Sequence, residues 1–240
     1  MVSPDQKRVI KAIVGLFETG STAPDYGAVT ILDDGAGVTY GAHQSTDGGE
    51  SSLDKIVDLY IERGGLYAAD LAPYVDRLHA DATASASPGN IAEWVDDMMT
   101  TLARAGYGDP IMALAQEQVF ESHYWEPSAE QAEAMGLVTP LAWLVCYDST
   151  IHSGREGIGR IRRRFPERPP ADGGDEREWV IAYLDARRAY LATHSRAAVR
   201  ATVYRIESMQ HVACAEYQGI GGNWDLETPV HIPRPRAEIT

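Results

Sequence analysis

Two charged residues stand where helix periodicity calls for apolar ones, and they limit how this chain can pack. In the run Pro140 to His152, residues Leu141, Leu144, Asp148 and Ile151 fall on one helical face, which turns Asp148 toward the core. In the helix that begins near Glu176, Val180, Leu184, Arg187 and Leu191 share a face, which turns Arg187 inward as well. Burying either charge alone costs several kcal/mol, so the two helices have to bring these side chains together. Two readings stay open: an inter-helix ion pair that only fixes packing, or a charge network behind an active site that orients a catalytic acid.

The rest of the chain reads as α+β and mainly α. A first helix spans about Pro4 to Phe17, with Val9, Ile10, Ile13, Val14 and Phe17 on one face. Glu18 follows, and Gly20 ends the pattern, so this carboxylate lies at the C-terminal end of the helix, where the dipole disfavours negative charge. Two short strands, Ala28 to Leu32 and Val38 to Ala42, flank the turn Asp33 to Gly37, and a Gly/Ser/Asp-rich loop covers Ser45 to Ser51. Helices are then expected at about Ser52 to Glu62, Tyr67 to His79, Ile91 to Ala105, Pro110 to Tyr124, Ser128 to Met135 and Pro140 to His152. Ile158 to Arg164, Glu176 to Thr193 and Arg196 to Ala213 follow. The stretches Asp81 to Asn90 and Pro166 to Gly174 read as surface loops or a lobe hinge.

With 240 residues, 44% of them hydrophobic, the chain can form one globular unit over residues 1–240, built as two lobes that share a cleft. No apolar run approaches the roughly 20 residues that span a bilayer, so no membrane insertion is expected. Met1 to Phe17 lacks a signal-peptide core and cleavage site. That fits a cytoplasmic start, or the mature form of a secreted or exported protein. The net charge of −14 repels nucleic acid and anionic membranes; it attracts cationic polymers, though it also serves plain solubility. Cys146 and Cys214 read as buried free thiols. Neither they nor the histidines (His79, His123, His194, His211 and His231 among them) show metal-ligand spacing, so no metal and no cofactor are expected.

Glycoside hydrolysis needs one carboxyl to protonate the leaving oxygen and a second to activate water or attack carbon. Glu18, closing an apolar helix, and Asp34, in an open glycine-rich turn, suit those roles by position. Among 35 acidic residues, however, some pair always will.

The segments Leu16-Phe17-Glu18, Asp34-Gly35-Ala36-Gly37-Val38-Thr39, Tyr147-Asp148 and Gly173-Gly174-Asp175-Glu176 resemble the chitosanases of glycoside hydrolase family 46. So do Tyr183-Leu184-Asp185-Ala186-Arg187 and Gly222-Asn223-Trp224-Asp225-Leu226, with Pro229 close behind, in family order over nearly the whole chain. The resemblance implies a lysozyme-like fold with two mainly helical lobes, a small sheet and an open substrate cleft between the lobes. It also implies an inverting endo-hydrolase, acting as a monomer on β-1,4 linkages of an amino-sugar polysaccharide. By position, Glu18 matches the general acid, Asp34 the general base and Thr39 the residue that helps hold the water. Asp148, Arg187 and Arg205 match a buried charge network that reaches the acid.

Two places depart from the family. Chitosanases carry a basic residue in the glycine turn and an acidic one opening the next helix; this chain has Ala36 and Ser52 there. Asp47, Glu50 or Asp54 are candidates to take the place of the missing acid. Beside the cleft, Tyr40, His43 and Gln44 are candidate substrate contacts together with Ser52, although a hydrogen-bonded structural role suits His43 equally well. These departures leave a second reading, a lysozyme-like muramidase acting on peptidoglycan as a phage enzyme or antibacterial effector. A third is a non-catalytic glycan-binding protein, which the joint presence of Glu18, Asp34 and Thr39 disfavours. The arginines of Arg160 to Arg168 read as a solvated helix end, and Tyr124, Trp125 and Trp143 as core; Trp94 and Trp224 fit either core or sugar contact.

Overall fold

A computed structural model describes residues 1–31, 37–46, 52–80, 83, 85–213 and 224–226. Helix α1 (Pro4–Thr19) buries Ile10, Ile13, Val14 and Phe17, the spacing of a single apolar stripe. It continues past the expected end at Phe17, so Glu18 belongs to its last turn, and Gly20 stops it with φ 74°.

The sheet is antiparallel, with β1 (Val29–Ile31), β2 (Val38–Tyr40) and β3 (Ser45–Thr46) in that spatial order. Thr39 pairs with Thr30 on one side and Thr46 on the other. The third strand replaces the start of an expected loop, and Ala42 leaves the expected second strand. Gly41 and Gln44 take positive φ of 77° and 51°, which folds residues 41–44 into a tight turn and sets Ser45 opposite Tyr40. Asp34, the turn around it and residues 47–51 lie outside the described residues.

After the sheet the chain is helical: α2 (Leu53–Glu62), α3 (Ala68–Leu71), α4 (Val75–His79), α5 (Glu93–Gly108) and α6 (Pro110–Phe120). The single helix expected over 67–79 is broken because Pro73 has no N–H to bond the carbonyl of Ala69; a 3-10 turn, Ala72–Tyr74, fills the gap. A π turn, Glu121–Trp125, follows α6, and α7 (Glu126–Ala134) has Pro127 in its first turn. Then come α8 (Pro140–Ser153), α9 (Gly157–Arg162), α10 (Glu176–Ala192), α11 (Ala197–Arg200) and α12 (Val203–Ala213). The helix expected over 196–213 is interrupted at Thr202, whose hydroxyl donates to the carbonyl of Val199.

Two compact units emerge, Glu18–His123 and the combination of Met1–Phe17 with Tyr124–Thr240. In the first, α2 packs against α6 and α4, and β1 against α5. Leu53, Ile56, Val57 and Tyr60 of α2 join Met98, Leu102 and Val38 in its core. In the second, α8 is buried from Pro140 to Thr150 and is packed by α7, α9, α10 and α12. A helix buried on all sides needs no amphipathic stripe. Its start is tied to α10 by Glu176 Oε1, which accepts from Val138 N, Thr139 N and Thr139 Oγ1 at 3.0, 2.8 and 2.7 Å. Asp175 caps α10 by accepting from the amides of Arg177 and Glu178. Gly174 is required beside it, because a Cβ there would stand 1.8 Å from the carbonyl oxygen of Arg168.

Trp125, Trp143 and Trp224 are all buried; Trp143 donates to Leu137 O at 3.0 Å, and Trp224 O accepts from Leu141 N at 3.1 Å. Trp94 packs at the edge of the first unit's core, with the Arg77 guanidinium 4.7 Å from its ring centroid. Arg160, Arg163, Arg164 and Arg168 are exposed. Cys146 is buried and free, and burial pushes its thiol up to about 12. Cys214 lies outside the described residues. No described helix is long and apolar enough to cross a membrane.

Candidate active site

Glu18 is exposed on the last turn of α1, and the residue before it is firmly held. The hydroxyl of Tyr204 donates to the carbonyl of Phe17 at 2.8 Å, and the Phe17 and Tyr204 rings meet edge-on with centroids 5.9 Å apart. The guanidinium of Arg205 lies 5.2 Å from the Phe17 centroid. Sequence periodicity gave no sign of Tyr204, since a tyrosine on an amphipathic helix reads as ordinary core.

Arg205 leads directly to the buried charges. Asp148, fully buried, accepts from Arg187 Nη1 at 2.6 Å through Oδ2, and from Arg205 Nε and Nη2 at 2.9 and 2.6 Å through Oδ1. Burial alone would raise the Asp148 carboxyl; the Arg205 and Arg187 charges outweigh it and hold the group at about 2. His152, one turn along α8, is lowered as well, to about 4, but by burial and then the Arg187 charge, which here disfavour the charged form. His152 Nδ1 is 3.4 Å from the hydroxyl of Ser153. Tyr183, stacked on Trp179, donates to Ser149 at 2.9 Å beside these charges.

In the unit Glu18–His123, Thr39 lies on β2 with 3% exposure, and its Oγ1 has no hydrogen-bond partner among the described residues. A cavity of about 340 Å³ opens beside the end of α1, lined by Thr19, Ser21, Ala23, Asp25, Ala42 and Gln44 among others. Its two walls are the segment after α1 and the 41–44 turn, and Gln116 of α6 ties them together. Gln116 Oε1 accepts from Ala42 N at 3.1 Å, while Nε2 donates to Tyr26 O at 2.8 Å. The adjacent Glu117 accepts from the Tyr26 hydroxyl at 3.0 Å and stands 3.3 Å from His43 Nε2. Burial first, and then Glu117, pushes the Tyr26 phenol up to about 12, so it remains a donor. Neither Gln116 nor Glu117 stood out in the sequence, because both are ordinary helix formers and their partners are more than 70 residues away.

The expected substrate contacts separate into two kinds. Gln44 is exposed and lines the cavity. Tyr40 does not face it: the ring is 1% exposed within the core and its hydroxyl donates to Leu102 O at 2.8 Å. A residue on an alternating strand that reads as a cleft edge is here turned inward because all of β2 is buried. Ser52 is 5% exposed and sits before the first turn of α2, its carbonyl accepting from Ile56 N. His43 stacks on Phe120, with centroids 3.6 Å apart and planes at 14°, which favours the structural side of its two readings. Among the described residues no group of three or more His, Cys, Asp or Glu side chains converges to hold a metal ion.

Residues 12–230 match Glycosyl hydrolase family 46. The chain is 27% identical over 242 residues to the chitosanase of Bacillus subtilis (strain 168), covering 96% of this chain and 83% of that one. The crystal structure of native chitosanase from Bacillus subtilis MY002 superposes with a TM-score of 0.78 at 27% identity, over 97% of this chain and 96% of that one. A mutant chitosanase from the same source, complexed with 6 GlcN, gives a TM-score of 0.76 at 26% identity, over 97% and 96% of the two chains. This chain belongs to glycosyl hydrolase family 46.

Proposed function

We propose that this glycoside hydrolase is a chitosanase that cuts β-1,4 linkages within glucosamine polymers by a single displacement with inversion. Residues 1–240 serve as one catalytic domain, working as a monomer without metal or cofactor. Glu18 donates its proton to the glycosidic oxygen as the bond to C1 breaks. Asp34 takes a proton from a water that attacks C1 from the opposite face, and Thr39, whose buried hydroxyl has no partner among the described residues, helps to hold that water. The observation that carries the reading is the anchoring of Phe17 by Tyr204 and Arg205, which fixes the helix end bearing Glu18. Arg205 is held in turn by Asp148, so the buried charges act as positioning groups for the acid. The net charge of −14 supports a polycationic substrate, and the complex of a similar enzyme with 6 GlcN supports the same class. Chitosan is too large to enter a cell intact, so the site of action is outside the cell and the protein is exported.

Ser52 favours a second reading. Where the family resemblance led to an expected acid, the chain offers a nearly buried hydroxyl, and a muramidase would have no ammonium group to read there. Reducing-end release from soluble chitosan and from purified peptidoglycan separates the two. Cleavage of chitosan supports the proposal, with the α-anomer as the first product seen by proton NMR. Cleavage of peptidoglycan alone would contradict it.

A further inference from the structure

We propose that Asp25 is the residue that reads the substrate's ammonium group in the cavity beside Glu18, and so sets preference for deacetylated sugar. The inference rests on the chitosanase reading above. A glucosamine polymer presents an ammonium group on each sugar, and distinguishing it from an acetamide calls for a carboxylate that accepts a charge-assisted hydrogen bond.

Asp25 is the one charged side chain among the described residues lining the cavity, so no nearby cation in that lining competes for it or repels the substrate. The cavity begins at Thr19, the residue after Glu18, which puts Asp25 in the same recess as the end of α1.

The Asp25 carboxylate is held and still accessible. Oδ1 accepts from Gly27 N at 3.2 Å, and Oδ2 lies 3.5 Å from the Tyr107 hydroxyl, while the residue as a whole is exposed. Each oxygen keeps a lone pair for a further donor. The backbone next to it is also fixed, because Tyr26 O accepts from Gln116 Nε2 and Tyr26 Oη donates to Glu117. A carboxylate fixed in this way gives up little freedom when it binds an ammonium, which favours discrimination. Ser52, nearly buried and uncharged, cannot fill that role from the start of α2.

The test is steady-state kinetics of the wild type, Asp25→Asn and Asp25→Glu on fully deacetylated and on partially N-acetylated chitosan, with thermal unfolding run alongside. Asp25→Asn keeps an acceptor for Gly27 N while removing the charge and turning the second oxygen into a donor. We expect KM on the deacetylated polymer to rise about tenfold or more, as loss of a charge-assisted hydrogen bond implies, with kcat nearly unchanged. The rise should be smaller on the acetylated polymer, and Asp25→Glu should recover part of it. Unchanged KM on both polymers would overturn the assignment, and so would an equal loss on both, which would mark Asp25 as structural. A wild type inactive on either chitosan would instead bring down the functional reading itself, and this inference with it.

Discussion

Oδ1 of Asp148 accepts from both Nε and Nη2 of Arg205, at 2.9 and 2.6 Å, and the same guanidinium lies 5.2 Å from the ring centroid of Phe17. One arginine therefore connects the single carboxylate of α8 with the last turn of α1. The contact joins helices that are more than 50 residues apart in sequence.

Replacing that carboxylate should be costly. Asp148→Asn removes the buried carboxylate that Arg187 and Arg205 share, and a loss of about 3–5 kcal/mol is expected from urea unfolding at neutral pH. The sign with pH is also fixed. The folded Asp148 titrates at about 2, below its ordinary 3.8, so its contribution is complete above 3.8 and fades as pH falls toward 2. Wild type and Asp148→Asn should therefore converge in stability across that window.

His152 acts in a different window. Its folded value of about 4 lies below the ordinary 6.5, so the unfolded chain binds the proton more readily between the two. Stability should fall as pH drops from 6.5 to 4 and then level off, by about 3 kcal/mol at most at ~1.4 kcal/mol per unit. His152→Gln should flatten this part of the stability profile in denaturant titrations.

The cavity wall offers a test of geometry. A Cβ on Gly41 would stand 2.1 Å from Gln116 Oε1, on a backbone with φ 77°. Gly41→Ala should cost about 1–3 kcal/mol from the φ strain alone, and should raise KM by displacing Gln116 and loosening the 41–44 turn. In a double-mutant cycle, Gln116→Ala should relieve the steric part of the Gly41→Ala cost but not the backbone strain. Additive effects would show that Gln116 does not set the wall.

These relationships were unevenly legible in the sequence. Helical periodicity turned Asp148 and Arg187 inward, and they stand 2.6 Å apart. In α10 the pattern is informative because one charge breaks an otherwise apolar stripe, whereas α8 is buried from Pro140 to Thr150, so Asp148 is inward whichever face it occupies. Arg205 is legible only through the family resemblance, since the segments around it carry no comparable stripe. The 67–79 helix looked continuous because periodicity ignores a missing N–H, yet Pro73 breaks it. Tyr40 read as a cleft residue because an aromatic beside glycine suits a binding edge; burial of the whole of β2 puts it in the core instead. The bridge from Gln116 to Ala42 and Tyr26 could not be read at all. It depends on tertiary placement of two loops, and neither local propensity nor spacing encodes that.

The role of Glu18 as the proton donor is tested most directly by reducing-end release from soluble chitosan by the wild type and Glu18→Gln. The substitution keeps size and removes the transferable proton, at an exposed position where the fold should be unaffected by circular dichroism and thermal unfolding. The wild type should release reducing ends readily and the variant should lose at least about a hundredfold, as expected when a general acid is removed. A folded Glu18→Gln protein that releases reducing ends at the wild-type rate would contradict that role.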